Sequence, residues 1–171
     1  MGTDKALLPF HGRTLIEHVA GEVEAAAGSV TIVGNPERYH HLGLSVIADE
    51  QPGEGPLGGI VTALCSGRVE WSLVVACDLP RITAVFLREL VAAAQASRGV
   101  QCVVPRSATG LEPLCAVWHH SAILPLCCAL ESGRRKMKEV VSLIEAQVWP
   151  VAETEIFRNV NAPEDWAIVH E

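Results

Sequence analysis

The sequence carries no surplus of positive charge. Its formal net charge is −7, which excludes the broad basic face that nucleic-acid binding requires. A small acidic ligand is not excluded, because Arg134, Arg135, Lys136 and Lys138 stand together in one short run. Long apolar stretches are also missing. The longest, AILPLCCAL from Ala122, is interrupted by Pro125 and is too short to cross a bilayer. No basic segment followed by an apolar one opens the chain, so no secretion signal is read there. Ala6 stands where N-myristoylation wants Ser or Thr, which removes Gly2 as a lipid site. Neither nucleic acid nor membrane is an expected partner, and the expected location is the cytoplasm.

Metal-ligand and nucleophile patterns are absent too. None of the six cysteines forms a C-x-x-C pair. Most sit in apolar runs, which predicts buried thiols in a reducing compartment. The histidines come as neighbours, His40–His41 and His119–His120, and neighbours do not share a face of a helix or strand. A His/Cys metal site is therefore not expected. Neither a G-x-S-x-G elbow nor a Walker lysine motif occurs.

What remains is a folded chain of 171 residues, 49% hydrophobic, long enough for one domain over 1–171 with a sizeable core. Helical and strand patterns alternate along it. Leu15, Ile16, Val19, Val23 and Ala26 form one helical stripe, with Thr14 and Glu17 as a capping box and Gly28 as the stop. SVTIV from Ser29, LSVIAD from Leu44 and WSLVVAC from Trp71 read as buried strands. Pro56 starts a helix, Thr83–Ala96 is a second, and VQCVVP, PLCAVW and AQVWPV supply further strands. A helix over about His119–Glu131, a short basic helix around Lys136 and a last helix opened by Pro163 complete the pattern. Such alternation predicts a Rossmann-like three-layer α/β/α fold with a mostly parallel sheet. Ligands of such folds bind at the carboxyl ends of strands, which singles out Asn35, Asp49 and Asp78.

Four stretches carry chemistry. In DEQPGEGPLGGIVTAL, from Asp49, Gly53, Gly55, Gly58 and Gly59 clear side chains from a helix start whose free N–H groups suit an anion. An ordinary glycine-rich turn reads the same way. VVACDLP delivers Asp78 at a strand end, where a lone carboxylate suits Mg²⁺ with water and phosphate as its other ligands; a turn aspartate is the plainer alternative. Lys5, in MGTDKALLPFHG, is a point cation able to neutralise phosphate, or a surface lysine. Asn159 and Asn161, in NVNAPEDW, offer amides from an extended segment, or a helix cap.

In order and spacing, MG-DKALLPF-G--LIEHV, GPLGGI--AL, VVACDLP and NVN-PED together resemble the molybdenum cofactor guanylyltransferases of the MobA-like nucleotidyltransferase superfamily, along the whole chain. The resemblance implies GTP and a molybdopterin-type molybdenum cofactor as substrates, Mg²⁺ as cofactor, and handover of the product to molybdoenzymes or their chaperones. It implies that Lys5 contacts the nucleotide phosphates, Asn35 contacts the nucleotide, Asp49 opens the guanine-side loop, and Asp78 holds Mg²⁺ beside the nucleotide. Asn159 and Asn161 would line the pocket. Arg134 and Arg135 would hold the pterin-side phosphate, unless the run is simply a solvated helix face.

Family members of this kind carry a hydrophobic strand and an L-A-G-G-x-S-x-R loop ahead of M-G-x-D-K. The expectation is that roughly 15 residues, one strand and a glycine loop, precede Met1 in the native form, and that the chain as given is incomplete for binding. Alternatives are a cytidylyl or sugar-phosphate nucleotidyltransferase, or a truncated non-catalytic binding module.

Overall fold

The structure, a computed structural model, describes residues 4–160. It begins with a 3₁₀ turn, Lys5–Leu7, and a two-residue hairpin of β1 (Pro9–Phe10) and β2 (Arg13–Thr14). Helix α1 (Leu15–Ala27) then starts at the expected capping box. The Glu17 amide donates to Thr14 Oγ1, the Thr14 amide donates to Glu17 Oε2 at 2.7 Å, and Gly28 ends the helix in the left-handed conformation. These bonds hold the Glu17 carboxyl below its usual range.

Strand β3 (Thr31–Val33), short helix α2 (Pro36–Tyr39), β4 (Ser45–Ile47) and α3 (Gly55–Ser66) follow. The central region holds β5 (Trp71–Val75), α4 (Ala84–Ala96), β6 (Cys102–Ser107), β7 (Gly110–Leu111) and β8 (Cys115–His119). Helices α5 (Ile123–Glu131) and α6 (Met137–Val141), strand β9 (Ala146–Pro150) and a 3₁₀ turn, Glu155–Phe157, complete the described chain. Pro163 and its expected helix lie outside the described residues.

The α/β/α layering follows from side-chain alternation on the strands. Along β8, Ala116 and Trp118 point into one core with Leu57, Ile60, Val61 and Leu64 of α3 and Leu126 of α5. Cys115 and Val117 point the other way, Cys115 toward Leu15 and Val19 of α1 and Val117 toward Leu90 and Ala94 of α4. Each fully buried aliphatic chain contributes about 1.5–3 kcal/mol. Helices α1 and α4 are also pinned polar-to-backbone: Glu22 Oε2 accepts from the Ala84 amide at 2.6 Å, and Arg88 donates to the Ala25 carbonyl at 3.1 Å.

Strand directions correct one expectation. The sheet is mixed rather than mostly parallel. β8 runs antiparallel to both β5 and β6, while β6 and β9 pair in parallel, as do β3 and β4. The reversal comes from the compact β6–β7–β8 connection, which turns at Gly110 without a crossover helix. Among the described residues β3 and β4 pair only with each other, and β5 pairs only with β8.

The cysteines correct another. Cys102 and Cys115 are buried, but Cys65 and Cys128 are exposed and Cys77 and Cys127 half-buried. Cys65 and Cys128 sit in apolar stretches of helices, whose period carries part of every such stretch outward.

Candidate active site

Asp78 lies just past the carboxyl end of β5, half-buried, in the strand-to-loop position where the chain turns at the buried Leu79–Pro80. His18 of α1 fixes that turn by donating from Nε2 to the Pro80 carbonyl at 2.9 Å. Burial raises the Asp78 carboxyl above its usual range, and a backbone hydrogen bond and the positive charge of Lys5 pull part of the way back. Lys5 and Asp78, far apart in sequence, therefore share one electrostatic environment.

Lys5 is positioned by its neighbour. Asp4 caps the 3₁₀ turn, accepting from the Ala6 amide at 3.1 Å, and its other oxygen accepts from Arg38 Nη1 at 3.0 Å and Tyr39 Oη at 2.9 Å. The D-K pair thus divides its labour: Asp4 anchors the turn on α2, and Lys5 is presented from it. Burial and the bond to Asp4 push the Tyr39 phenol up to about 12. Sequence reading gave Asp4 no role, although it stands inside the M-G-x-D-K motif.

Asn159 reaches the same place from the far end of the described chain. The amide of Val160 donates to the Asp78 carbonyl at 3.1 Å, so the N-V segment runs alongside the Asp78 turn. Asn159 is exposed and lines a cavity of about 560 Å³ with Asp78, Glu112, Lys136 and Lys138. Asn161 lies outside the described residues. A larger open recess, about 880 Å³, sits at the opposite end of the sheet between Trp71, Gln101 and His119 and contains none of the expected residues.

The glycine-rich loop is ordered by side chains. Asp49 Oδ1 accepts from the Gln51 amide at 2.9 Å and from the buried hydroxyl of Thr62 at 3.0 Å, and that hydroxyl accepts from the Glu50 amide at 3.1 Å. Two glycines serve the backbone: Gly53 and Gly55 have φ of 87° and 65°. Gly58 serves packing, since a Cβ there would lie 2.7 Å from the Gln51 carbonyl oxygen. At Gly53, Gly55 and Gly59 an added Cβ meets nothing within 4 Å. Of these three, Gly59 alone has open space without a positive φ, so only there is the side chain absent for neither backbone nor packing reasons.

Other expected residues have local tasks. Asn35, exposed beyond β3, caps α2 by accepting from the Glu37 amide at 2.9 Å. Arg135 forms an ion pair with Glu54 of the glycine-rich loop and donates to the Leu130 carbonyl at 2.7 Å. Arg134 is exposed, and neither arginine lines the cavity beside Asp78. From the basic run, Lys136 and Lys138 do. The spacing explains this: Gly133, with φ of 75°, turns the chain after α5, so that residues three and five places later face the cavity.

Among the described residues no cluster of three or more His, Cys, Asp or Glu side chains is placed to cage a metal, and no helix is long and apolar enough to cross a membrane. A half-buried single carboxylate fits a hard cation whose other ligands are water and phosphate, the habit of Mg²⁺.

The layers, with the acidic strand end at their ligand edge, define a nucleotidyltransferase of the three-layer α/β class. More narrowly, the chain belongs to the MobA-like NTP transferase domain family, whose match spans residues 1–148. It is 35% identical over 173 residues to a "Probable molybdenum cofactor guanylyltransferase" of Pelotomaculum thermopropionicum, covering 96% of this chain and 83% of the relative. A relative with the same name from Nostoc sp. is 33% identical, covering 99% of this chain and 84% of that one. Among solved structures, molybdopterin-guanine dinucleotide biosynthesis protein A of Archaeoglobus fulgidus superposes with a TM-score of 0.80 at 25% identity, covering 98% of this chain and 89% of that one.

Proposed function

We propose that the protein transfers GMP from GTP to the molybdenum cofactor, giving the guanine dinucleotide form and pyrophosphate, in the cytoplasm. The observation that carries this reading is the convergence on Asp78 of Lys5 from one end of the chain and Asn159 from the other. The names of the relatives support the choice of substrates.

The triphosphate lies along the edge formed by Lys5, Asp78 and the start of α3. Lys5 neutralises phosphate charge as it builds on the leaving group. Asp49 and Thr62 hold the loop that receives the guanine, and the open face of Gly59 admits it. Asp78 is the residue that would hold Mg²⁺, and the ion would supply neutralisation of phosphate charge. The acceptor's phosphate oxygen attacks the α-phosphorus, the bond to the β-phosphate breaks, and pyrophosphate leaves with the electron pair. A phosphate dianion is already a nucleophile, so the step demands positioning and charge neutralisation rather than a general base. The raised affinity of Asp78 for a proton has a use here, because the same burial that disfavours the bare carboxylate favours pairing it with a cation.

The test is turnover of [α-³²P]GTP by the purified protein with Mg²⁺ and molybdenum cofactor, with CTP run in parallel. Label appearing in the cofactor from GTP supports the reading. Transfer from CTP alone would indicate a cytidylyltransferase, and tight binding of the cofactor without transfer would indicate a binding module.

A further inference from the structure

The chain contains only three lysines among its thirteen basic residues: Lys5, Lys136 and Lys138. All three stand around Asp78, Lys5 through its charge and the other two in the wall of the adjoining cavity. The ten arginines are spent elsewhere or line other surfaces, Arg135 included.

The two cavity lysines differ. Lys136 is paired with Glu139 at 3.2 Å. Lys138 makes no ion pair among the described residues. Of the wall acids, Glu139 is paired with Lys136, and Glu112, on the hairpin that Lys138 crosses, accepts through Oε1 from Ser107 Oγ at 2.7 Å and Thr109 Oγ1 at 3.0 Å. Lys138 is also seated. Its amine passes across Gly110, the turn residue of the β6–β7 hairpin with φ of 127°, and a Cβ at that position would stand 3.0 Å from Nζ. A long, flexible cation is thus laid in a notch that only glycine leaves open, at the rim of a cavity whose wall also carries Asp78, Glu112 and Glu139.

An anion entering beside Asp78 needs a cation on the far wall to offset the repulsion. We infer that Lys138 binds the phosphate monoester of the acceptor substrate, with Asn159 donating from the side and Lys136 available once Glu139 releases it. The inference rests on the transfer reading for the identity of the acceptor, and on the cavity alone for the phosphate. Lys138 holds the nucleophilic phosphate and takes no part in the chemistry of bond exchange.

Lys138→Met and Lys138→Arg decide it, with thermal melting to show that both fold. Expected is a rise of about tenfold or more in the KM for molybdenum cofactor in Lys138→Met, the loss of one charge-assisted contact. The Kd of a fluorescent GTP analogue stays within about twofold, and Lys138→Arg recovers most of the acceptor affinity. An unchanged acceptor KM, or an equal loss for both substrates, would overturn the assignment. Should the wild-type protein transfer nothing to the cofactor, the functional reading fails and phenyl phosphate, a plain monoester, still tests Lys138 by ³¹P line broadening. Broadening by the wild type that disappears in Lys138→Met supports the site. Equal broadening in both, or none in either, ends it.

Discussion

Val160 donates its backbone N–H to the carbonyl of Asp78 at 3.1 Å. One bond between main chains joins the last described residue to the turn that carries the most informative carboxylate. It sets Asn159 at the cavity edge without asking anything of the Asn159 side chain, whose amide stays available for ligand.

Asp78→Asn should raise the stability of the free protein while removing activity. Burial raises this carboxyl in the folded state, so the folded form binds the proton more tightly than the unfolded form. Its ionisation therefore costs stability progressively as pH rises from the unfolded value through the folded one, and at neutral pH the full cost is present. The amide removes that cost. Melting at pH 7 should show a higher Tm for the variant, the difference shrinking as pH falls into the carboxylate range. Mg²⁺ should stabilise only the wild type. Turnover should fall by on the order of 10²–10³-fold. A variant that melts lower at neutral pH, or still responds to Mg²⁺, contradicts this account of Asp78.

Gly58 and Gly59 should respond oppositely to alanine. At Gly58 the new methyl meets the Gln51 backbone at 2.7 Å, and relieving it costs about 1–3 kcal/mol. At Gly59 it meets nothing, and the helix gains roughly 0.5–1 kcal/mol. If guanine packs on that open face, Gly59→Ala melts higher yet binds GTP about tenfold more weakly. A higher Tm with unchanged GTP affinity would move the base elsewhere.

Arg135 should matter for the loop and Arg134 for little. Arg135→Ala removes the half-exposed pair with Glu54 and the bond to the Leu130 carbonyl, costing about 1 kcal/mol. Arg134→Ala should stay within about 0.5 kcal/mol of wild type. A double-mutant cycle with Glu54→Ala should give a coupling of roughly 0.2–1 kcal/mol. A tenfold loss of acceptor affinity in Arg134→Ala would restore the arginine to the phosphate site that the cavity gives to Lys138.

Thiol labelling at pH 7.5, read by peptide mass, should find Cys65 and Cys128 first, because they are exposed. Cys77 should lag and speed up as pH rises, since burial, Asp78 and Asp4 push its thiol up to about 11. Burial raises Cys102 and Cys115 further, and they should react only on unfolding. Early modification of Cys102 or Cys115 would contradict the core packing on β6 and β8.

The elements were legible in the sequence where local signals dominate. The capping box of Thr14 and Glu17 and the stop at Gly28 bound α1 to the residue, because capping is decided within one helical turn. Asp78 and the glycine-rich loop stand out because strand periodicity ends abruptly at each. Strand direction was not legible: nothing in PLCAVW says that it returns antiparallel to WSLVV. Nor was the division of the basic run, since four adjacent cations look alike until Gly133 turns them and Glu54 claims one. The hydroxyl of Thr62, the buried polar letter in an apolar helix, carried a signal that periodicity analysis passes over.

That hydroxyl has a consequence for motion. Leu57, Ile60, Val61 and Leu64 would tolerate a small roll or slide of α3, because one aliphatic contact replaces another at little cost. Thr62 would not, since it serves Asp49 and the Glu50 amide at once while only 2% exposed. Shifting it strands buried polar groups, at about 1–3 kcal/mol each. Helix and loop are therefore riveted into one rigid body. If the guanine is received by this loop as proposed, its end of the site is the fixed jaw, and any adjustment to a nucleotide falls on the segments around it.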